Sequence, residues 1–253
     1  MADPRSRWEV VYDDLRGRIV RGDLGEGDQV PGELDLSEVH GVSRSTVRSA
    51  LQRLQQEGLI TEGRGRLGRQ VRADNPLIWN LHSFEGVSRR DDPAAGLDDW
   101  AQQVADQGRR PEQEVTPTLG PSTSQVAKWL LLPAGSPVVT RSRVRSVDGR
   151  PWQLSVSHFP GSWAQGTVLM EPGDVVVAGG ILAGLGHQQK RVHDEIRARM
   201  PTPSESRQLE IPVGTPVIEH LRIGYDTEDM PVRAMITVAP GDKHILVYEL
   251  EIS

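Results

Sequence analysis

The first 60 residues contain three stretches in which apolar residues recur every three or four positions, the spacing of an amphipathic helix. The apolar positions of the first stretch are Trp8, Val11, Tyr12, Leu15 and Ile19. A second, shorter stretch follows Pro31 and is expected to bury Leu36 and Val39 before Gly41 ends it. The third begins after Ser43, a natural N-cap, and its buried positions are Val47, Ala50, Leu51 and Leu54. The pattern predicts a helix, a short helix, a turn and a third helix.

The third predicted helix carries polar side chains opposite its buried side. These are Ser45, Arg48, Ser49 and Gln52, with Arg44 beside them at the N-terminal end. A helix that reads DNA needs apolar packing behind it and hydrogen-bonding side chains in front, which reach base edges and phosphates. We therefore interpret the three helices as a helix-turn-helix.

Two short strand-like segments follow, at residues 59–61 and 70–72, and an arginine-rich loop joins them. The loop contains Arg64 and Gly65 and also matches the pattern Gly-x-Gly-x-x-Gly. A dinucleotide site requires a helix that starts at these glycines and an acidic residue about 20 positions later. Because a predicted strand follows instead, we interpret the loop as the wing of a winged helix-turn-helix.

The second half of the chain alternates apolar and polar positions with the period of two that strands require. Asp148-Gly149 separates two such runs, which is a strong signal for a hairpin. The region also repeats, because a set of residues recurs 79 or 80 positions later; it comprises Leu130, Pro133, Gly135, Pro137, Val138, Arg143, Pro151, Pro160 and Gly161. We predict an α+β domain built by duplication around a mainly antiparallel sheet, with hairpins at 137–159 and 216–239 and a last strand at 245–248.

The composition agrees with a folded protein of two domains, at 253 residues, 36% hydrophobic and 25% charged. The net charge of −6 is unevenly distributed, since residues 1–72 balance 12 Arg against 12 Asp and Glu. A basic patch with seven Arg and two Glu lies within residues 40–72, which suits a nucleic-acid partner. No apolar run approaches the ~18 residues that span a bilayer, and the N-terminus lacks a secretion signal. We expect a soluble, cytoplasmic protein without a membrane partner.

The sequence contains no pattern of an enzyme or a metal site. It has no cysteine, which excludes thiolate ligands and a cysteine nucleophile. His187 and His193 lack the four-residue spacing of a metal pair on a helix. Neither a Gly-x-Ser-x-Gly elbow nor a phosphate-binding Gly-Lys-Ser/Thr loop occurs. We expect no catalysis, no metal and no cofactor.

The N-terminal segment resembles the winged helix-turn-helix domain of GntR-family bacterial transcription regulators. The resemblance covers residues 7–72 and rests on the segments 27–33, 41–48, 54–60 and 63–65. It implies that the recognition helix and the wing contact DNA through Arg44, Ser45, Thr46, Arg48, Arg64 and Gly65, the last two in the minor groove. Gly32 stands where the family usually has Ser, and Leu34 where it usually has Arg. These departures imply a weaker N-cap and one DNA contact fewer.

Residues 97–253 resemble the UTRA effector-binding domain of the HutC subfamily of these regulators. The resemblance rests on residues 137–145, the turn 148–151 and the closing turn 240–243. It implies a chorismate-lyase-like fold without lyase activity, a small-molecule pocket and homodimerisation through this domain. Residues 1–72 are then the DNA-binding domain and residues 73–96 a linker. Leu77, Ile78 and Trp79 are too apolar for a free tether, so we expect this linker to pack on a neighbour.

The candidate effector site lies on the strand at 138–147, where Arg141, Arg143 and Arg145 alternate and therefore point to one face. Like charges repel unless an anion or carboxylates lie opposite, so the face is either solvated and salt-bridged or a clamp for a carboxylate or phosphate. The family's paired arginines correspond to Arg143 and Arg145, and Ser157 on the facing strand can donate a hydrogen bond. Arg233 stands where sugar-phosphate-binding members carry Glu, which favours a more apolar or more acidic ligand.

The sequence thus predicts a sequence-specific transcriptional regulator, most simply a repressor, that binds double-stranded DNA as a homodimer. Its operator should be pseudo-palindromic, and a small, anionic effector should modulate binding. The alternative is a DNA-binding plasmid or architectural regulator that has no small-molecule effector.

Overall fold

A computed structural model describes residues 6–25, 27–61, 63, 68–72, 76–82, 99–173, 175, 181–211 and 214–249. The chain divides into two compact units. One comprises Met1–Asn75 together with Val213–Thr215, and the other comprises Pro76–Pro212 and Pro216–Ser253.

The described residues of the first unit contain three helices, α1 (Arg7–Val20), α2 (Glu33–His40) and α3 (Arg44–Gln56). They enclose one core, whose members are Val11, Leu15, Leu24, Val30, Leu36, Val47, Ala50, Leu51, Leu54, Ile60 and Val71. Gly41 ends α2 with a φ of 60°, a left-handed conformation that glycine adopts without steric cost. Beyond α3, Ile60 pairs with Val71 and Gln29 with Gln70 as antiparallel bridges. The unit has the predicted helix-turn-helix.

One core position of this unit was predicted wrongly. Val39 is 77% exposed, whereas Leu36 is 2% exposed. The eight residues of α2 bury a narrow stripe against α3, and Leu36 fills it. Val39 therefore lies on the solvent side.

The described part of the second unit contains eight strands and five short helices. The strands are β1 (Leu77–Asn80), β2 (Pro111–Pro121), β3 (Pro137–Val147), β4 (Arg150–Pro160), β5 (Arg191–Arg199), β6 (Val217–Tyr225), β7 (Pro231–Pro240) and β8 (His244–Val247). The helices are α4 (Asp99–Asp106), α5 (Ser124–Trp129), α6 (Gly161–Ala164), α7 (Ile181–Gly184) and α8 (Pro203–Gln208). A 3₁₀ turn, Val168–Met170, lies between α6 and α7.

Six of the strands form one antiparallel sheet in the order β2-β3-β4-β7-β6-β5. This order reflects a duplication. One half consists of β2, α5, β3 and β4, and the other consists of β5, α8, β6 and β7. The halves meet where β4 pairs with β7. The predicted hairpins are β3-β4 and β6-β7. The first turns at Asp148 and Gly149, whose φ values are 53° and 75°, the type I′ geometry of a two-residue loop.

Different elements pack on the two faces of this sheet. Arg141, Arg143 and Arg145 mark one face, here called the effector face, and α4, α6, α7 and the β1-β8 pair pack on it. On the opposite face, here called the open face, α5 packs near Val138, and Leu209 and Ile211, which follow α8, pack near Val217. Between these two helices, the described part of the chain leaves the centre of the open face uncovered.

The predicted last strand is present as β8, but it does not belong to the main sheet. β8 pairs in parallel with β1 as a separate two-stranded sheet. The parallel pairing brings the start and the end of this unit together, which a local pattern cannot show. Within the described residues no helix is long and apolar enough to cross a membrane.

Candidate functional site

The N-terminal end of α3 carries the predicted DNA-contacting side chains of the helix. Ser43 caps it, since its Oγ accepts a hydrogen bond from the Thr46 backbone N–H at 3.2 Å. The same Oγ lies 2.8 Å from the hydroxyls of Ser45 and of Thr46. The cap therefore holds three hydroxyl groups at one helix terminus, where backbone N–H groups and the helix dipole favour a phosphate. Arg44, also at this end, is exposed.

Arg48, one turn further along α3, is engaged in an ion pair. Its Nη2 donates to Glu33 Oε2 at 2.8 Å, and Arg69 Nη1 donates to Glu33 Oε1 at 3.3 Å. The hydrogen bond from Arg48 outweighs partial burial and lowers the pKa of Glu33. Glu33 thus joins α2, α3 and the end of the loop that leads into residues 70–72. Arg64 and Gly65, the predicted wing contacts, lie outside the described residues.

On the effector face the structure brings Arg143 and Ser157 together. Arg143 Nη1 donates to Ser157 Oγ at 3.3 Å, and Ser157 is 2% exposed. Next to them, Ser155 and Thr237 are fully buried, with a hydroxyl-to-hydroxyl distance of 3.3 Å. Arg143, Ser155 and Thr237 stand opposite one another on β3, β4 and β7. The strands therefore place a guanidinium group beside a row of buried hydroxyls.

Arg141 belongs to the same strand face but has a structural role. Its side chain is fully buried, and its Nη atoms donate to the carbonyl oxygens of Leu169, Glu171 and Gly173 at 2.7 to 2.9 Å. Carbonyl dipoles thus compensate this charge, so it does not repel its neighbours on β3 as an uncompensated charge would. The guanidinium fastens the segment 169–173 to the sheet.

The other two predicted effector residues, Arg145 and Arg233, lie on the same face of the sheet as the Arg143–Ser157 contact. Arg145 is 5% exposed and its guanidinium carbon lies 5.0 Å from the centroid of the Trp100 ring, so α4 covers it. Arg233 lies on β7 opposite Gly224. The alternation along β7 places it on the effector face, two residues from Met235, the partner of Ser157.

A second buried polar cluster on this face was not predicted. Asp194 on β5 accepts from Arg222 Nε and Nη2, both at 2.7 Å, and its Oδ1 lies 2.9 Å from Nε2 of His220. Burial would raise the pKa of Asp194, but the hydrogen bonds with Arg222 and His220 outweigh it and lower that pKa strongly. The sequence repeat held a signal, since Arg222 recurs at the position of Arg143. No sequence signal pointed to Asp194, because strand β5 was not predicted.

These features define a class: a DNA-binding regulator whose second domain senses a small molecule. Two family models match the chain, "Bacterial regulatory proteins, gntR family" at residues 8–66 and "UTRA domain" at residues 106–245. The chain therefore belongs to the GntR family of bacterial transcriptional regulators, in the group that carries a UTRA effector-binding domain. This family is not enzymatic. Among the described residues, no group of His, Asp or Glu is arranged to hold a metal ion.

Similar proteins share this architecture over nearly their whole length. The HTH-type transcriptional regulator RB1450 of Rhizobium meliloti is 31% identical, over 93% of this chain and 91% of its own. GgaR of Escherichia coli is 28% identical, over 98% and 92%, and the HTH-type transcriptional repressor NagR of Bacillus subtilis 24%, over 95% and 93%. A crystal structure of a GntR-family regulator matches with a TM-score of 0.64 and 26% identity, over 98% and 99% of the two chains.

Proposed function

We propose that this protein is a cytoplasmic repressor of the HutC type, which binds a pseudo-palindromic operator as a homodimer and responds to an anionic small molecule. The contact between Arg143 and Ser157 on the buried effector face carries the effector part of this proposal. The repressor role is carried over from the relative that is named as a repressor. The DNA contacts would come from Arg44, Ser45, Thr46 and Arg48 of α3 and from Arg64 and Gly65 of the wing.

The effector face suits a ligand with an acidic group and adjoining polar groups. Guanidinium forks bind carboxylates and phosphates with two parallel hydrogen bonds, and Arg143, Arg145 and Arg233 share this face. The hydroxyls of Ser155, Ser157 and Thr237 can donate to or accept from neighbouring ligand groups. An apolar ligand would cover these groups without offering them hydrogen bonds, which is costly, so the face favours a polar ligand.

A thermal-shift screen of metabolites tests the effector proposal. A ligand that binds only the folded state raises the melting temperature by mass action, and Arg143→Ala should remove that shift. Arg150→Ala is the matched control, because Arg150 is an exposed arginine on the same hairpin. A shift that survives in Arg143→Ala would place the site elsewhere. If no metabolite shifts the wild type, the regulator without an effector is the better account.

The open face is the surface we assign to the homodimer. A groove of about 670 Å³ lies there, floored by Val144, Leu154, Val156, Ile236 and Val238 and rimmed by Glu114, Arg199, Glu205 and Glu219. The floor is apolar and partly exposed in a single chain, so a partner that covers it gains hydrophobic stabilisation.

The charges at the two edges of the sheet favour a second copy of this chain as that partner. Glu114 lies on the edge strand β2. Arg197, which is 69% exposed and ion-paired with Glu219 at 2.6 Å, lies on the opposite edge strand β5. A two-fold axis parallel to the strands sets the β2 edge of one protomer against the β5 edge of its partner. A two-fold interface needs such a self-complementary surface.

Sedimentation at micromolar concentration tests this interface. Val156→Arg places a charge in the centre of the groove and should yield monomers that still fold. Met230→Arg is the control, because Met230 is an apolar side chain, 49% exposed, in the turn between β6 and β7. Dimers of the Val156→Arg variant would rule out the open face as the interface.

A further inference from the structure

Strand β1 is the first element after the boundary between the two units. Leu77, Trp79 and Leu81 point inward and are at most 2% exposed, so this segment is packed against the second unit along its length. One edge pairs with β8 through backbone hydrogen bonds. The other edge is satisfied by side chains, and these side chains are the basis of the inference.

On that edge, the side chains of two glutamines of α4 make the hydrogen bonds that a neighbouring strand would otherwise make. Gln107 accepts from the Ile78 N–H at 2.8 Å and donates to the Ile78 carbonyl at 2.9 Å. Gln103 accepts from the Asn80 N–H at 2.9 Å and donates to the Asn80 carbonyl at 3.3 Å. The four-residue spacing places both amides on one side of the helix. Each amide offers a donor and an acceptor, as a peptide group does.

Arg222 holds the end of the same segment. Its Nη2 donates to the carbonyl of Leu81 at 2.8 Å, while Asp194 fixes the guanidinium from the other side. Arg222 is also placed near the candidate effector site. Ser157, Met235 and Arg222 are direct cross-strand partners on β4, β7 and β6, and such neighbours on one face are about 5 Å apart.

We propose that β1 is a coupling strand, an anchor through which the effector domain fixes the reach of the DNA-binding unit, with Gln103, Gln107 and Arg222 as its positioning residues. Three residues of sequence separate Arg72, whose backbone N–H donates to Leu59 within the first unit, from Pro76, where the second unit begins. Three extended residues span at most roughly 10 Å. Release of the segment 76–82 would lengthen this connection to ten residues, roughly 35 Å. In a homodimer the longer tether lowers the effective concentration of the second DNA-binding unit at its half-site.

The test compares duplexes that differ in half-site spacing, and it rests on the proposed homodimer. An operator selected from a random pool with the full chain serves as the probe, beside a version with two base pairs inserted between its half-sites. The insertion rotates one half-site by about 70° relative to the other. We expect the wild type to bind the altered duplex at least 30-fold more weakly.

The main variant is Gln103→Met/Gln107→Met, because methionine keeps the side-chain length and helix propensity but lacks the amide. Its Ile78 and Asn80 amides should exchange with solvent at least tenfold faster, and its spacing penalty should fall below fivefold. Arg222→Lys should act in the same direction, since an ammonium group lacks the fork that joins Asp194 to Leu81. Gln102→Met is the control: Gln102 lies on the same helix but bonds to Asp106 within it.

Two results would overturn the proposal while leaving the dimer intact. One is unchanged exchange of the Ile78 and Asn80 amides in the double variant. The other is faster exchange together with the wild-type spacing penalty, because β1 would then be structural only. A wild type that binds both duplexes equally would overturn the coupling strand and the proposed dimer together.

Discussion

The side chains of Arg44 and Arg48 have different surroundings, although both belong to the proposed DNA-reading face of α3. Arg48 is ion-paired with Glu33, so its guanidinium is oriented before DNA arrives. Arg44 is exposed at the capped end of the helix. A pre-oriented side chain loses less conformational entropy on binding, whereas an exposed one must be ordered by the phosphate or base that it contacts.

Replacement of Arg44 by Ala should weaken binding to the selected operator by about 1–3 kcal/mol, because a charge-assisted contact is lost. Wild-type affinity should also fall steeply as salt rises, since phosphate contacts release counterions. Titration of labelled duplex at several salt concentrations measures both effects.

Arg53→Ala is the control for Arg44→Ala. Arg53 lies in the last turn of α3, where it pairs with Glu57 at 2.9 Å, so its loss should leave operator affinity nearly unchanged. Equal losses in the two variants would contradict the proposed orientation of the recognition helix.

His244 makes the stability of the second unit depend on pH. Burial lowers its pKa to about 4 from the ordinary value of 6.5. Its Nδ1 lies 3.0 Å from the Pro240 carbonyl, an acceptor, so this nitrogen carries the proton and Nε2 accepts from Gln153. Between these two pKa values the unfolded chain binds a proton that the folded chain does not, so the free energy of unfolding falls as the pH falls.

We expect His244 to contribute about 2 kcal/mol to the loss of unfolding free energy between pH 7 and pH 5. The effect can be measured by urea unfolding followed by tryptophan fluorescence. His244→Gln should reduce the loss by that amount, even though the variant is less stable at pH 7. The same pH dependence in wild type and variant would show that another group is responsible.

The stability of the β3-β4 hairpin depends on its two-residue turn. Gly149 has a φ of 75°, and the space that a Cβ atom would occupy there is open, so only backbone strain opposes substitution. Gly149→Ala should lower the free energy of unfolding by about 1–2 kcal/mol. Gly120→Ala on β2 is the control, because Gly120 has the same open space but no positive φ. Equal stability of the two variants in urea would show that the turn tolerates a side chain.

The elements that the sequence predicted are those with a strong buried pattern or an unambiguous turn. The stripe of α3 and Asp148-Gly149 are examples. The edge strands β2 and β5 were missed, because edges bury few side chains and tolerate proline. β2 contains Pro117, and β5 exposes most of its charged residues. In the site, the alternation on β3 predicted a shared face, but the carbonyl partners of Arg141 come from residues 28 or more positions away and cannot be inferred from it.

The whole molecule acts as a switch only if its two domains are energetically coupled. A ligand changes DNA affinity only when it binds the DNA-competent and DNA-incompetent dimers differently, and DNA must then change ligand affinity by the same factor. A coupling free energy of about 1–3 kcal/mol is typical.

A homodimer should also require half-sites about 34–36 Å apart, or a multiple of that distance. Residues 1–75 alone should therefore bind the full operator far more weakly than the whole chain.

The central claim is that a ligand bound at the arginines of β3 changes DNA affinity. The most direct test measures the operator affinity of wild type, Arg143→Ala and Arg145→Ala, each with and without the ligand that the screen identifies. We predict that the ligand changes wild-type affinity at least fivefold and leaves both variants unaffected. Their ligand-free affinity should stay near the wild-type value, because the DNA-reading residues belong to the other unit. A full ligand response in both variants would contradict the account, because the arginines of β3 would then be structural.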